Sequence, residues 1–300
     1  MKLKKSNRQA RSAFTLIEIM VATVVMLILV GLVVEITFNV LNAWNRASGK
    51  LAANAEARIA MDFLTQDLQT AVLRNNGQQW LRVEGPIDPN GNYNDQTVSL
   101  KLFSPALDRP KQDAEGNEIS GDICAIGYRL AYKESYSSDK KSGPKTFALY
   151  RSIVDPRTTF DSLLGNPYQQ ELIGGSWADS SIIDEANYLV SNIVEFKIFV
   201  YSDDETYSDE GRRLALNDRE DDQADLKIDN NSKVIFGGKG DAIDLLYADI
   251  ILTVVSDDGL ELLRLLDEGR SGTGYSSPYD VVREYGEQFN RRVYFPSQSF

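Results

Sequence analysis

Phe14–Val34 is a run of 21 residues carrying one charge, Glu18. As an α-helix it is about 31 Å long, enough to cross the hydrocarbon core of a bilayer. Five cations precede it (Lys2, Lys4, Lys5, Arg8, Arg11), and residues 1–13 contain no Asp or Glu. Positive charge at one end of a span holds that end in the cytoplasm. The expectation is a single-pass chain with a cytoplasmic N-terminus.

Glu18 is the exception within the run. A carboxylate inside a span is costly and points to function by default. A cut after Ala13 would create an ammonium on Phe14, which a neighbouring subunit's Glu18 could neutralise. Arg11-Ser12-Ala13-Phe14-Thr15-Leu16-Ile17-Glu18 followed by an apolar helix resembles the class III signal of type IV pilins and type II secretion pseudopilins. The resemblance implies cleavage between Ala13 and Phe14 by a prepilin peptidase, N-methylation of Phe14, and assembly through Glu18. The usual residue before the cut is Gly; here it is Ala13, also small. It further implies an inner-membrane protein with a periplasmic globular domain that later joins a pseudopilus or pilus. A secretory signal peptide fits less well, because its apolar region precedes the cut and spans roughly 7–15 residues. An uncleaved signal anchor would leave Glu18 unexplained.

The net charge is −12, and losing residues 1–13 would leave 27 basic against 44 acidic residues. Such a domain repels nucleic acid and anionic surfaces. There is no His, so a Ser-His-Asp triad is impossible and the commonest metal ligand is missing. No phosphate-binding loop or Gly-x-Ser-x-Gly elbow occurs, and Gly237-Gly238-Lys239-Gly240 reads as a turn. Carboxylates are plentiful, yet nothing singles out a catalytic pair. No enzyme and no cofactor are expected. Cys124 stands alone in an apolar strand-like stretch and reads as a buried thiol.

Helical periodicity continues beyond the span to about Arg74, through Trp44, Ala47, Leu51, Ala55 and Ile59, then Met61, Leu64, Leu68 and Ala71. Asn75-Asn76-Gly77 is a stop signal. Gly31 is either a weak point or a small residue for helix contact. Glu35 reads as an interfacial acid. Arg58–Ala71 is similar to the end of the long helix in minor pseudopilin J and in W-type minor pilins, which carry an Arg, a hydrophobic pair and then Asp-Leu-x-x-Ala. Leu149-Tyr150-Arg151 adds to that likeness. The plain alternative is an amphipathic helix with Arg58, Asp62 and Asp67 in solvent.

Beyond Gly77 the pattern changes to strands: Trp80–Glu84, Thr97–Phe103, Ile123–Lys133, Lys145–Val154, Tyr188–Tyr201, Ile243–Val255 and a terminal Arg292–Phe295. In Tyr188–Tyr201 the buried face is not evident from the pattern. Asp258–Glu268 and Tyr279–Asn290 read as short helices, and residues 155–186 as loop-rich. The fold class is α+β and pilin-like: a long N-terminal helix packed on a mainly antiparallel sheet, with long loop insertions. The expected divisions are leader 1–13, span 14–34, amphipathic helix 35–76 and globular domain 77–300.

Residues 203–229 hold eleven acids and few apolar residues, which reads as a solvated loop. Asp203, Asp204, Glu205 and Asp209 there are candidate Ca²⁺ ligands, with Asp88-x-Asn90-x-Asn92 a weaker one, though neither has the spacing of a calcium loop. The resulting expectation is a non-enzymatic minor pseudopilin, J-like or W-like, of a type II secretion or type IV pilus-like machine. A pseudopilin-like cassette protein of the kind found in Verrucomicrobia is a related possibility. Partners would be the prepilin peptidase, other major and minor pseudopilins and the inner membrane, with no nucleic acid. The alternative from another class is a membrane-anchored acidic module that recognises a cation, a glycan or a surface.

Overall fold

The computed structural model describes residues 15–74, 80–84, 97–106, 122–134, 145–164, 179–202, 212–214, 233–236, 245–270 and 274–296. The architecture is α+β: a long N-terminal helix followed by antiparallel sheets. Helix α1 (Leu16–Gln69) contains 54 residues. Contacts divide the chain into two compact units, residues 1–48 and 49–300.

In the first unit, every described side chain from Thr15 to Trp44 is exposed. The most apolar stretch has a mean hydropathy of 2.8, and none of it is buried. Among the described residues, α1 is the one helix long and apolar enough to cross a membrane.

In the second unit α1 becomes one-sided. Ala53, Ala57, Ala60, Met61, Leu64 and Leu68 are buried, a helical spacing that lays one stripe on the core. The helix stops at Gln69, short of the expected Arg74. Thr70 turns the chain, its hydroxyl donating to Gln66 O and bonding to the Ser104 hydroxyl. Val72 then donates its N–H to Phe103 O at 2.7 Å. Ala71 and Leu73 are buried, so the apolar signal persisted while the backbone had left the helix.

Six strands form the first sheet, in the order β5-β4-β3-β2-β1-β8. They are β1 (Leu81–Glu84), β2 (Ser99–Ser104), β3 (Cys124–Glu134), β4 (Lys145–Val154), β5 (Tyr188–Ser191) and β8 (Lys233–Phe236). The second sheet has the order β10-β9-β6-β7, from β6 (Ile193–Ser202), β7 (Arg212–Leu214), β9 (Leu245–Val255) and β10 (Gly286–Tyr294). All pairings are antiparallel. One core joins the docked part of α1 to inward residues of both sheets, including Leu102, Tyr128, Leu149, Phe196, Ile250 and Val293. Cys124 lies in it, buried and reduced.

Two sheets rather than one is a correction, and Asn192 explains it. The stretch Tyr188–Tyr201, expected as one strand, breaks there into β5 and β6, which belong to different sheets. Asn192 sits at φ +63, a region Asn tolerates better than most residues. Its N–H donates to Phe147 O, and its carbonyl accepts from Val255 N–H, each at 2.9 Å. Its side-chain amide donates to Asp257 Oδ1 at 2.8 Å. A bulge between Ile193 and Glu195 puts Ile193 and Phe196 on the same buried face, which hid the alternation of this strand.

Three further expectations change. Tyr279–Asn290 is not one helix: α5 (Pro278–Tyr285) ends where β10 begins. Residues 155–186 contain short helices α2 (Pro156–Thr158) and α3 (Asp179–Ile182), and a π-turn over Thr159–Leu164. Arg212–Leu214, inside the acidic tract, is strand β7. The helix expected over Asp258–Glu268 is α4 (Asp257–Asp267). Gly259 lets α4 approach α5, since a Cβ there would lie 2.6 Å from Tyr285 Cβ. The long loop insertions lie largely outside the described residues.

Candidate functional site

The start of α1 is built by two side chains. Thr15 precedes the first helical residue, and its Oγ1 accepts the Glu18 N–H at 3.3 Å. Glu18 Oε2 accepts the Thr15 N–H at 3.4 Å. This reciprocal arrangement is a capping box, which satisfies backbone donors that have no partner within the helix. The spacing Thr-x-x-Glu announces it in the sequence, so this role of Glu18 was legible there and was missed. A carboxylate at a helix N-terminus is also favoured by the helix dipole. Beyond the cap, Glu18 lines an apolar groove with Ile19, Ala22, Thr23 and Met26. Ala13 and Phe14 lie outside the described residues. So do the calcium candidates Asp203, Asp204, Glu205, Asp209, Asp88, Asn90 and Asn92. Among the described residues no three His, Cys, Asp or Glu side chains converge as a metal site would require.

The docked part of α1 carries a second site. Asp67 is 1% exposed, against the plain alternative of an amphipathic helix with Asp67 in solvent. Arg151 on β4 donates Nε to Asp67 Oδ2 at 2.8 Å and Nη2 to Asp67 Oδ1 at 2.9 Å. Tyr128 on β3 donates its hydroxyl to Asp67 Oδ2 at 2.5 Å. The guanidinium lies 4.8 Å from the Phe63 ring centre. Burial, and then the Asp67 carboxylate, push the Tyr128 hydroxyl well above its usual range. It therefore stays protonated and donates. The bidentate fork fixes the rotation of α1 as well as its height on the six-stranded sheet.

Arg58 and Asp62 do face solvent. Asp62 pairs with Arg291 on β10 at 2.6 Å. Asn54 donates to Glu287 of β10 at 2.9 Å, and Glu56 accepts from the N–H and hydroxyl of Ser191 on β5. Polar contacts thus tie α1 to both sheets. The spacing Ala60, Leu64, Asp67, Ala71 places Asp67 on the apolar stripe. That was the signal for its burial.

The two ends of α1 define a class: an exposed, apolar, membrane-length helix that opens in a capped Glu18 and ends locked into an α+β domain. Residues 8–34 match the family model for the prokaryotic N-terminal methylation motif. That match supports the pilin and pseudopilin likeness of the N-terminus and its anchoring in a membrane. No curated protein and no solved structure matches the chain.

Proposed function

We propose that the chain is a non-enzymatic structural subunit, a J-like or W-like minor pseudopilin of a type II secretion or type IV pilus-like filament. A prepilin peptidase removes residues 1–13, Phe14 becomes the N-methylated first residue, and the helix leaves the membrane by joining other pseudopilins. The globular domain lies in the periplasm. The observation that carries this reading is the methylation motif at residues 8–34 leading into a helix whose apolar stretch is wholly exposed. A helix of that composition needs lipid or other helices around it.

In a filament Glu18 would meet the Phe14 amine of a neighbour. Opposite charges attract strongly at low dielectric, while desolvation offsets much of the gain. The pair therefore selects one axial height more than it adds stability.

N-terminal analysis and intact mass of protein from cells that contain the peptidase test this. The expected chain begins at N-methyl-Phe14, and Ala13→Glu retains Met1. A wild-type chain that keeps residues 1–13 in such cells would overturn the reading and favour a membrane-anchored binding module.

A further inference from the structure

The exposed part of α1 stays apolar on one side beyond the length that a bilayer core needs. Phe14–Val34 is about 31 Å long as a helix, and Trp44 lies about 15 Å further on. The two together exceed the ~30 Å hydrocarbon core and reach the outer limit of the headgroups, at about 40–45 Å. Beyond Glu35, residues Ile36 to Asn45 carry no charge. They divide into two faces. Val33, Ile36, Val40 and Trp44 recur at spacings of three and four and share one side of the helix, with Leu41 beside them. Glu35, Asn39 and Asn42 recur in the same way on the opposite side, and Phe38 stands between the two. Ile36, Val40 and Trp44 are 61, 60 and 72% exposed.

The threonine hydroxyls of this part of the helix are bonded within it. Thr37 donates to Val33 O at 2.7 Å, and Thr23, inside the span, donates to Met20 O at 2.8 Å. A threonine bonded to its own helix needs no water, which is the arrangement lipid requires. Thr37 lies beyond Glu35 and on the side of Val33 and Trp44, so that side suits the same medium as the span. It also continues the exposed surface of the span, with no break in α1 between them. A tryptophan at the outer end of such a stripe suits the boundary between headgroups and acyl chains, where its ring is apolar and its N–H is wet.

We propose that α1 leaves the bilayer at a tilt, with the Ile36, Val40 and Trp44 face against the phospholipid interface and the Glu35, Asn39 and Asn42 face in water. A tilt of about 20–40° lies within the range of membrane helices and lowers Trp44 from the outer limit of the headgroups towards the acyl chains. Trp44 is then the anchor that sets the height and the rotation of the helix in the membrane. This contact rests on the membrane anchoring of α1, and on neither cleavage nor assembly. All of its residues belong to the first unit, 1–48.

The test places the full chain in phosphatidylcholine vesicles, at few chains per vesicle. The lipid has no net charge, so attraction of basic residues plays no part. Its acyl chains carry bromine, which quenches a nearby indole, either close to the ester or close to the chain end. Trp80 and Trp177 give a constant background, and the Trp44 signal is the difference between wild type and Trp44→Phe. Trp44 should lose more emission to the shallow bromine than to the deep one. Two further variants are made in the Trp44→Phe chain, both at exposed positions. Asn42→Trp, on the opposite face, should escape quenching and emit at longer wavelength than Trp44. Val24→Trp, in the middle of the span, should lose most to the deep bromine. An unquenched Trp44 beside a quenched Val24→Trp would overturn the lipid contact and leave the span in place; emission at short wavelength would then assign the face to a protein helix. Equal quenching of Trp44 and Asn42→Trp would overturn the one-sided contact. An unquenched Val24→Trp would overturn the membrane anchoring itself, and this contact with it.

Discussion

Asp67 and Arg151 are separated by 84 positions and meet as a buried two-point pair, with Arg151 Nε and Nη2 on the two oxygens of one carboxylate at 2.8 and 2.9 Å. Both side chains are 2% exposed. Desolvating two charges cancels much of their attraction, whereas stranding one of them is expensive. Asp67→Asn or Arg151→Met alone should therefore cost about 3–5 kcal/mol in chemical denaturation. The double change Asp67→Leu with Arg151→Met should recover most of that loss. Additive losses in the double variant would show that the pair is not coupled.

Alkaline pH should weaken the domain through its buried tyrosines. Burial raises Tyr128 above its ordinary value of 10, and the nearby Asp67 carboxylate adds to this. Tyr132 and Tyr150 are each pushed up to about 12, chiefly by burial. A raised folded-state value means that the folded protein holds its proton more tightly than the unfolded chain. That stability is fully present below about pH 10 and is lost as pH climbs towards 12 and beyond. Melting temperatures across this window should fall in the wild type, and less steeply in Tyr128→Phe.

Two glycines should respond oppositely to alanine. Gly259→Ala pushes a Cβ to 2.6 Å from Tyr285 Cβ and should destabilise the α4–α5 contact by about 1–3 kcal/mol, read as a lower melting temperature. Gly31 has nothing within 4 Å of a built Cβ, so Gly31→Ala should be neutral or favour the free helix by up to about 1 kcal/mol. Loss of partner recovery in Gly31→Ala at unchanged stability would assign this glycine to close packing between helices.

Glu18 has a cap role and a proposed assembly role, and Thr15 separates them. Thr15→Val removes one capping bond, worth about 1 kcal/mol, and leaves the carboxylate in place. Glu18→Leu removes the carboxylate and the other capping bond, from the Thr15 N–H, while the Thr15 hydroxyl can still accept the main-chain N–H of position 18. Partner pseudopilins should co-purify with Thr15→Val and be lost with Glu18→Leu, at matched expression and with cleavage intact. Equal loss in both would make the cap sufficient to explain the residue.

How far the fold could be read ahead depended on the element. β1 to β4, β9 and α4 follow local alternation or helical spacing, so their bounds agree with the structure to within a few residues. β5 and β6 merged because Asn192 carries no mark of a break until its partners Phe147, Val255 and Asp257 are present. The first half of β10, to Asn290, was taken for the end of a helix because Glu287 and Gln288 suit one, while Arg292–Phe295 was read as a strand. Pairing with β9 along its whole length overrode that preference, as strand choice commonly yields to context. The cap of Glu18 was readable from four residues, whereas the buried partner of Asp67 was not, since nothing local names a residue 84 positions away.

Sequence alone determined the N-terminal anchor. Charge asymmetry, an uninterrupted apolar run, a small residue before Phe14 and an acid four residues later are local properties, and the energetics of a span depend on little else. It also determined the α+β order and the absence of His-based chemistry. Only the tertiary structure decided that the described strands divide between two sheets and that Asp67 is buried against Arg151. Each of these rests on pairing between segments distant in the chain, where one hydrogen-bond register or one charge pair selects among arrangements that local preference leaves nearly equal in energy.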